Sequence, residues 1–236
     1  MDNLAHTLVG AALGRAVGGR KVPAAGWIGA VAANAPDWSE PLLGFNPLRG
    51  SVAYYSLHRG ITHSFLGAAV ETVAISAVLA VLFAVQQRRG APPVPLGALV
   101  ALVAAAVWSH VYMDWQGSYG LRAWLPWSDR WYYADWVAIV DPFFWLVPLV
   151  GLAWGAERHW RDLTPIVLVA GFVLWAEFAA RPGLAAGWLR AASVCIVALG
   201  AIGWIRQWFG VAERRRVAGF SLVVLALYAA GQAVAG

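Results

Sequence analysis

Apolar residues run through this chain in long, nearly unbroken stretches rather than at strictly amphipathic spacing. Six stretches, roughly 65–86, 94–113, 137–156, 163–180, 187–208 and 217–235, approach the ~20 residues a helix needs to cross the hydrocarbon core of a bilayer. Connections rich in Arg, Pro and Gly, such as Gln86-Gln87-Arg88-Arg89-Gly90-Ala91-Pro92-Pro93, separate them and predict short turns. Two shorter stretches, about 4–18 and 24–34, predict a helical hairpin that dips partway into the membrane. Within the first, Gly10, Gly14 and Gly18 recur every four residues, the small-residue stripe that lets membrane helices approach closely. No internal repeat or linker breaks the pattern. The expected fold is all-α: one polytopic transmembrane helix bundle over 1–236, with about six long spanning helices and a short N-terminal helical hairpin.

Composition narrows the class. The chain is 61% hydrophobic and 12% charged, with a mean hydropathy of +0.63. That is roughly half the charge of a soluble domain, and it excludes disorder, collagen-like repeats and a secreted disulfide scaffold. Cys195 is the only cysteine, so no internal disulfide forms. Lys and Arg outnumber Asp and Glu by 17 to 12, but they are scattered between apolar stretches rather than gathered on one solvated face. The expected partner is the lipid bilayer, not nucleic acid.

The N-terminal residues lack the basic region and small-residue site of a cleavable signal, and are expected to stay in the structure. Alternating helices place Arg15, Arg20, Lys21, Arg88, Arg89, Arg158, Arg161, Arg206 and Arg214 to Arg216 on one side. Arg49, Arg59, Arg122, Arg130, Arg181 and Arg190 fall on the other. The richer side is expected to be cytoplasmic, with the hairpin's crossing the weak point of the count.

Acids and histidines are distributed differently. Asp2, His6, Asp37, Glu40, His58, His63, His110, Asp114, Asp129, Asp135 and Asp141 all fall opposite the basic turns. Ionisable groups persist beside an apolar body when paired, metal-bound or wetted, so their convergence at one face marks a candidate site. His58 and His63 flank a Gly turn before a long helix, with Thr62 a candidate N-cap for it. His110 and Asp114, four apart, share one helix face, a spacing that suits one metal ion or a metal-bridging pair. Arg59 reads either as a bidentate phosphate clamp or as a loop arginine bonded to Asp37 or Asp135. Asp135 and Asp141 are candidates to orient ligand histidines, Asp141 equally to cap the helix after it. Glu71 is placed to look into the site from below. Glu177 has an i,i+4 partner in Arg181, and His159 and Asp162 read as solvated turn residues. The stretch Trp108 to Trp145 holds seven of 15 tryptophans and reads as an interfacial belt or as a lid over the site.

Several blocks, in order, carry a resemblance: Met1-Asp2-Asn3-Leu4-Ala5-His6, Asn34-Ala35-Pro36-Asp37, His58-Arg59-Gly60-Ile61-Thr62-His63-Ser64, His110-Val111-Tyr112-Met113-Asp114, Gly117-Ser118-Tyr119-Gly120, Pro126 to Asp135, and Val140-Asp141-Pro142. Over about residues 1–145 they resemble the YdjM-type family of bacterial inner-membrane proteins, described as membrane-bound metal-dependent hydrolases. Residues 146–236 carry no matching motif. A fainter similarity leads to the zinc-dependent phospholipase C and P1 nuclease group. The resemblance implies His6, Asp37, one or both of His58 and His63, His110 and Asp114 as metal ligands. It also implies one to three divalent ions, zinc foremost and manganese second. The family commonly reads Pro-Asp-x-Asp, whereas Ser39 stands here with Glu40 next; either one carboxylate is dispensable or Glu40 substitutes for it.

The leading expectation is a multi-pass inner-membrane hydrolase that cleaves a phosphoester of a lipid or another amphiphile with metal-activated water. Arg59 would hold the phosphoryl oxygens and Asp37, Asp135 or Glu40 would be general base, on the extracytoplasmic face. The alternatives are a non-catalytic metal-binding membrane protein, a transporter, and a scaffold locked by its His/Asp cluster. Zincin, nucleophile-elbow, P-loop and dinucleotide motifs are absent from the sequence.

Overall fold

The computed structural model describes residues 1–38, 59–157, 160–180 and 187–235. In chain order its helices are α1 (Asn3–Leu13), α2 (Ala25–Ala32), α3 (Phe65–Arg88), α4 (Leu96–Gln116), α5 (Pro142–Trp154), α6 (Trp160–Trp175), α7 (Gly187–Ile205) and α8 (Arg214–Ala235). α1 runs into a π-helical turn, Gly14–Gly18, and α6 into another, Ala176–Ala180. Among the described residues no strand forms, and one antiparallel bridge pairs Leu121 with Tyr132.

Five helices are long and apolar enough to cross a bilayer: α3, α4, Asp162–Ala179, α7 and α8. The sixth expected span is shorter. Asp141 accepts a hydrogen bond from the Phe143 amide at 2.8 Å and Pro142 takes the first helical position, so α5 starts late and covers 13 residues. At 1.5 Å per residue that is about 20 Å, less than the hydrocarbon core. Asp141 is therefore a helix cap, held also by the Tyr228 hydroxyl at 2.8 Å.

The glycine stripe does what its spacing predicts. A Cβ on Gly10 would overlap the Gly29 carbonyl, and one on Gly14 the Ala25 carbonyl, so α1 and α2 meet backbone to backbone. α1 packs on α2, α4, α5 and α8. It thus lies between two apolar clusters, one built on α5 and α8 and the other on α2, α4 and α3. A helix this central can carry a side chain into the middle of the bundle from its first turn.

In the C-terminal half Glu177 is buried, and its Oε1 accepts from Ser193 Oγ at 2.8 Å. The serine on α7 is a described partner of this carboxylate; the expected partner Arg181 lies outside the described residues.

Candidate metal centre

Four short stretches deliver side chains to one buried point. Asp2 caps α1, accepting from the amides of Leu4 and Ala5 at 2.9 and 3.1 Å and from the Trp145 indole at 3.0 Å. That anchor fixes where α1 begins and turns His6 inward. α2 ends in a 3-10 turn, Ala35–Trp38, that carries Asp37, and Asn34 ties this turn to α1 by donating to Thr7 Oγ1 at 2.9 Å. Another 3-10 turn, Ile61–His63, presents His63 just before α3. The N-cap of α3 is Ser64, whose Oγ accepts from the Gly67 amide at 3.0 Å, not Thr62. Thr62 Oγ1 lies instead 3.1 Å from His63 Nδ1 and orients that ring. His110 and Asp114 come from the last turns of α4.

The convergence is close. His63 Nε2 lies 3.1 Å from Asp37 Oδ1, 3.4 Å from Asp114 Oδ2 and 3.2 Å from His110 Nε2. His110 Nε2 is 3.5 Å from Asp114 Oδ2 and 3.6 Å from Asp37 Oδ1. His6 Nε2 is 3.3 Å from Asp114 Oδ1, and its ring stacks on that of His110 with centroids 3.7 Å apart. The amino group of Met1 also contacts Asp114 Oδ1. His6, His63, His110 and Asp114 are exposed by 1% or less, while Asp37 is the most open of the set, its side chain 12% exposed.

Protons decide what this cluster can hold. His110 Nδ1 lies 2.7 Å from the Ala33 carbonyl oxygen, which only accepts, so Nδ1 carries the hydrogen. In the neutral ring Nε2 then presents a lone pair to two carboxylates and a second imidazole. His6 Nδ1, His6 Nε2 and Asp114 Oδ2 have no hydrogen-bond partner although buried, which costs about 1–3 kcal/mol for each such atom. A cation among these atoms removes the conflict. Donors about 2 Å from a tetrahedral zinc lie roughly 3.3 Å from one another, and the histidine-centred distances fall around that value. Two overlapping triads bring their donor atoms within 4.8 Å of one another, His6/Asp37/His110 and His63/His110/Asp114. They share His110, which has one uncommitted nitrogen, so the two triads offer a place for one ion rather than two. The Ala33 carbonyl is the partner that fixes the orientation of a ligating imidazole in such sites.

His63 and Asp37 lie outside the spanning helices. Burial lowers the His63 pKa below its ordinary value, against the pull of Asp37. Burial raises that of Asp37, but the hydrogen bond from His63 and the nearby His110 and His6 outweigh it, and the net shift is downward. Both groups thus favour their ligating forms, neutral imidazole and carboxylate.

Arg59 joins the cluster by a route the sequence did not show. Its Nη2 lies 3.2 Å from Asp114 Oδ1 and its Nη1 donates to the Gly120 carbonyl at 2.9 Å. The guanidinium also sits 4.7 Å over the Tyr119 ring. The aromatic segment therefore reaches the site through Tyr119 and Gly120, while Trp124, Trp127 and Tyr133 are exposed. Asp135 is exposed, at a φ of +56°, and makes none of the cluster's contacts. Glu71 projects from α3 with its Oε2 buried and without a hydrogen-bond partner. His58 and Glu40 lie outside the described residues.

A polytopic helix bundle with a buried His/Asp centre is the class that fold and site define. The chain matches the family of YdjM inner membrane proteins over residues 1–236 and belongs to that family, so it is a multi-pass protein of the inner membrane. No curated protein and no solved structure matches it.

Proposed function

We propose that this membrane protein is a metal-dependent hydrolase that cleaves a phosphoester of a lipid or another amphiphile, on the extracytoplasmic face. One divalent ion, zinc foremost and manganese second, is held by His63, His110, Asp37 and Asp114, with His6 behind. The observation that carries this reading is the approach of His110 Nε2 to His63 Nε2 and two carboxylates, with its own Nδ1 hydrogen committed to Ala33.

When bound, the ion supplies a Lewis acid and a water of lowered pKa. The chain's own residues do the rest. Asp37, the open edge of the cluster, is the general base for a water arriving from that side. Arg59 holds Asp114 in place and adds positive charge where phosphoryl oxygens collect. His110 keeps its orientation through Ala33. The exposed apolar faces of α3 admit an amphiphile from the bilayer.

Elemental analysis of purified protein, followed by turnover on a panel of lipid and nucleotide phosphoesters, tests the reading. About one ion per chain with His110-dependent turnover is expected. Burial of the cluster favours a second reading, an ion that locks α1, α4 and the two 3-10 turns without catalysis. A full complement of metal with no turnover on any phosphoester selects that one.

A further inference from the structure

A cavity of about 310 Å³ lies along the face of α1 that carries Leu4, Leu8 and Ala11, between the hairpin and the pair α5 and α6. Ile166 and Val169 of α6 form the opposite wall. From Leu4 to Arg15 the groove runs about 16 Å at helical rise. One end is charged. Arg15 Nη1 donates to the Leu152 carbonyl at 2.7 Å, so the last turn of α5 holds its guanidinium at the mouth. Arg214 reaches the same end, paired with Glu157 at 2.7 Å, and Arg215 donates to the Ala16 carbonyl at 2.7 Å. Exposed Arg20 and Lys21 follow in the hairpin turn, and Asp162 and Glu157 are the acids near them. Positive charge exceeds negative at this mouth, while the rest of the groove is almost wholly apolar. Val167 and Leu168, beside the wall residues of α6, are exposed, so the wall continues into the lipid-facing surface.

We propose that this groove is a binding site for an anionic phospholipid of the surrounding bilayer, its acyl chain along α1 and its phosphate at Arg15. A basic mouth on an apolar slot between helices is complementary to that molecule, head and tail together. Zwitterionic lipid fits the slot but its ammonium offsets the phosphate charge; free phosphate fits the charge and leaves the slot empty. The site is independent of the His/Asp cluster, which α1 presents from its other face through His6.

The test is native mass spectrometry of the full chain in a neutral detergent, titrated with phosphatidylglycerol or phosphatidylcholine. One phosphatidylglycerol is retained per chain, about tenfold more tightly than phosphatidylcholine, and Arg15→Gln lowers that retention about fivefold. Because Arg15 also secures the end of α5, Val169→Trp provides a second arm: it fills the slot with every arginine intact and also releases the lipid. Equal retention of the two lipids, unchanged retention in Val169→Trp, or displacement of the lipid by excess inorganic phosphate overturns the proposal.

Discussion

The Nε2 atoms of His63 and His110 lie 3.2 Å apart, although the residues are separated by 47 positions and arrive on different elements. Two imidazole nitrogens at that distance share a proton or a cation, and the adjacent carboxylates of Asp37 and Asp114 supply compensating negative charge. Removing one nitrogen dismantles the set. His110→Ala is expected to lower metal affinity by at least about 100-fold, the upper range for losing even an indirect partner of a ligand. Inductively coupled plasma analysis after dialysis checks it, and unchanged metal content in a folded variant refutes the assignment.

A position that touches no donor tests the geometry. A Cβ on Gly67 would overlap the Ile61 carbonyl, at the start of the turn that holds His63. Gly67→Ala must push that turn away and is expected to weaken metal binding about 10-fold, as loss of a supporting contact does. Gly97→Ala, in α4 with open space around it, is the control and leaves affinity unchanged. Calorimetric titration of zinc into both apo-proteins distinguishes them.

Arg59 gives a stability prediction. It is 8% exposed and shares Asp114 with His6 and His110. Arg59→Gln leaves a buried carboxylate short of a cation, a loss of about 3 kcal/mol for a buried pair. A lowered melting temperature of the metal-free protein is expected, with much of the loss recovered on adding zinc, which supplies the charge by another route.

These positions show where local sequence pattern informs and where it stops. The apolar stretches and the glycine stripe are repeats along one helix, so the spans and the contact of α1 with α2 were readable from spacing. His110 and Asp114 are one turn apart on α4, and their shared face was readable for the same reason. Arg59 meets Asp114 while held by the Gly120 carbonyl of a segment that folds back, which no short-range pattern encodes; by spacing alone Asp37 and Asp135 are equally good partners. Ser64 rather than Thr62 caps α3 because the Ile61–His63 turn uses Thr62 to hold a ring, a choice between adjacent hydroxyls that propensity leaves open. α5 starts later than hydropathy predicts because residues 137–140 are as apolar as the helix they precede, and the Asp141 cap outweighs their hydropathy.

The protonation of the cluster sets a pH dependence. His63 is shifted below its ordinary value of 6.5, so in the folded protein it stays neutral at and somewhat below that pH. An unfolded chain takes up the proton at 6.5, so this shift costs stability as pH falls below that value. Asp37, shifted below 3.8, acts in the same direction over a lower range, its contribution present above 3.8 and lost as pH falls through the lower folded value. Protonation of His63 itself is therefore expected to cost metal only below pH 6.5. A His63 ring that protonates above 6.5, read from its own imidazole NMR shifts, contradicts a neutral, buried His63.

Metal removal separates the two readings of the site. Without an ion, His6 and Asp114 keep buried atoms that lack hydrogen bonds, and the start of α1 is drawn to the end of α4 by Asp114 and by the stack of His6 on His110. Chelation is expected to lower the melting temperature and to loosen α1 and the turns at Asp37 and His63, while α7, which packs on α5 and α6 and not on α1, keeps its protection. Hydrogen exchange followed by mass spectrometry resolves those segments. If the ion is catalytic, protection returns with any divalent ion of suitable size, but phosphoester turnover returns only with those that activate water. Restoration of protection by zinc with no accompanying turnover assigns the cluster to holding the bundle together. If chelation changes neither protection nor melting, the cluster holds no ion, and its short contacts must be explained by shared protons.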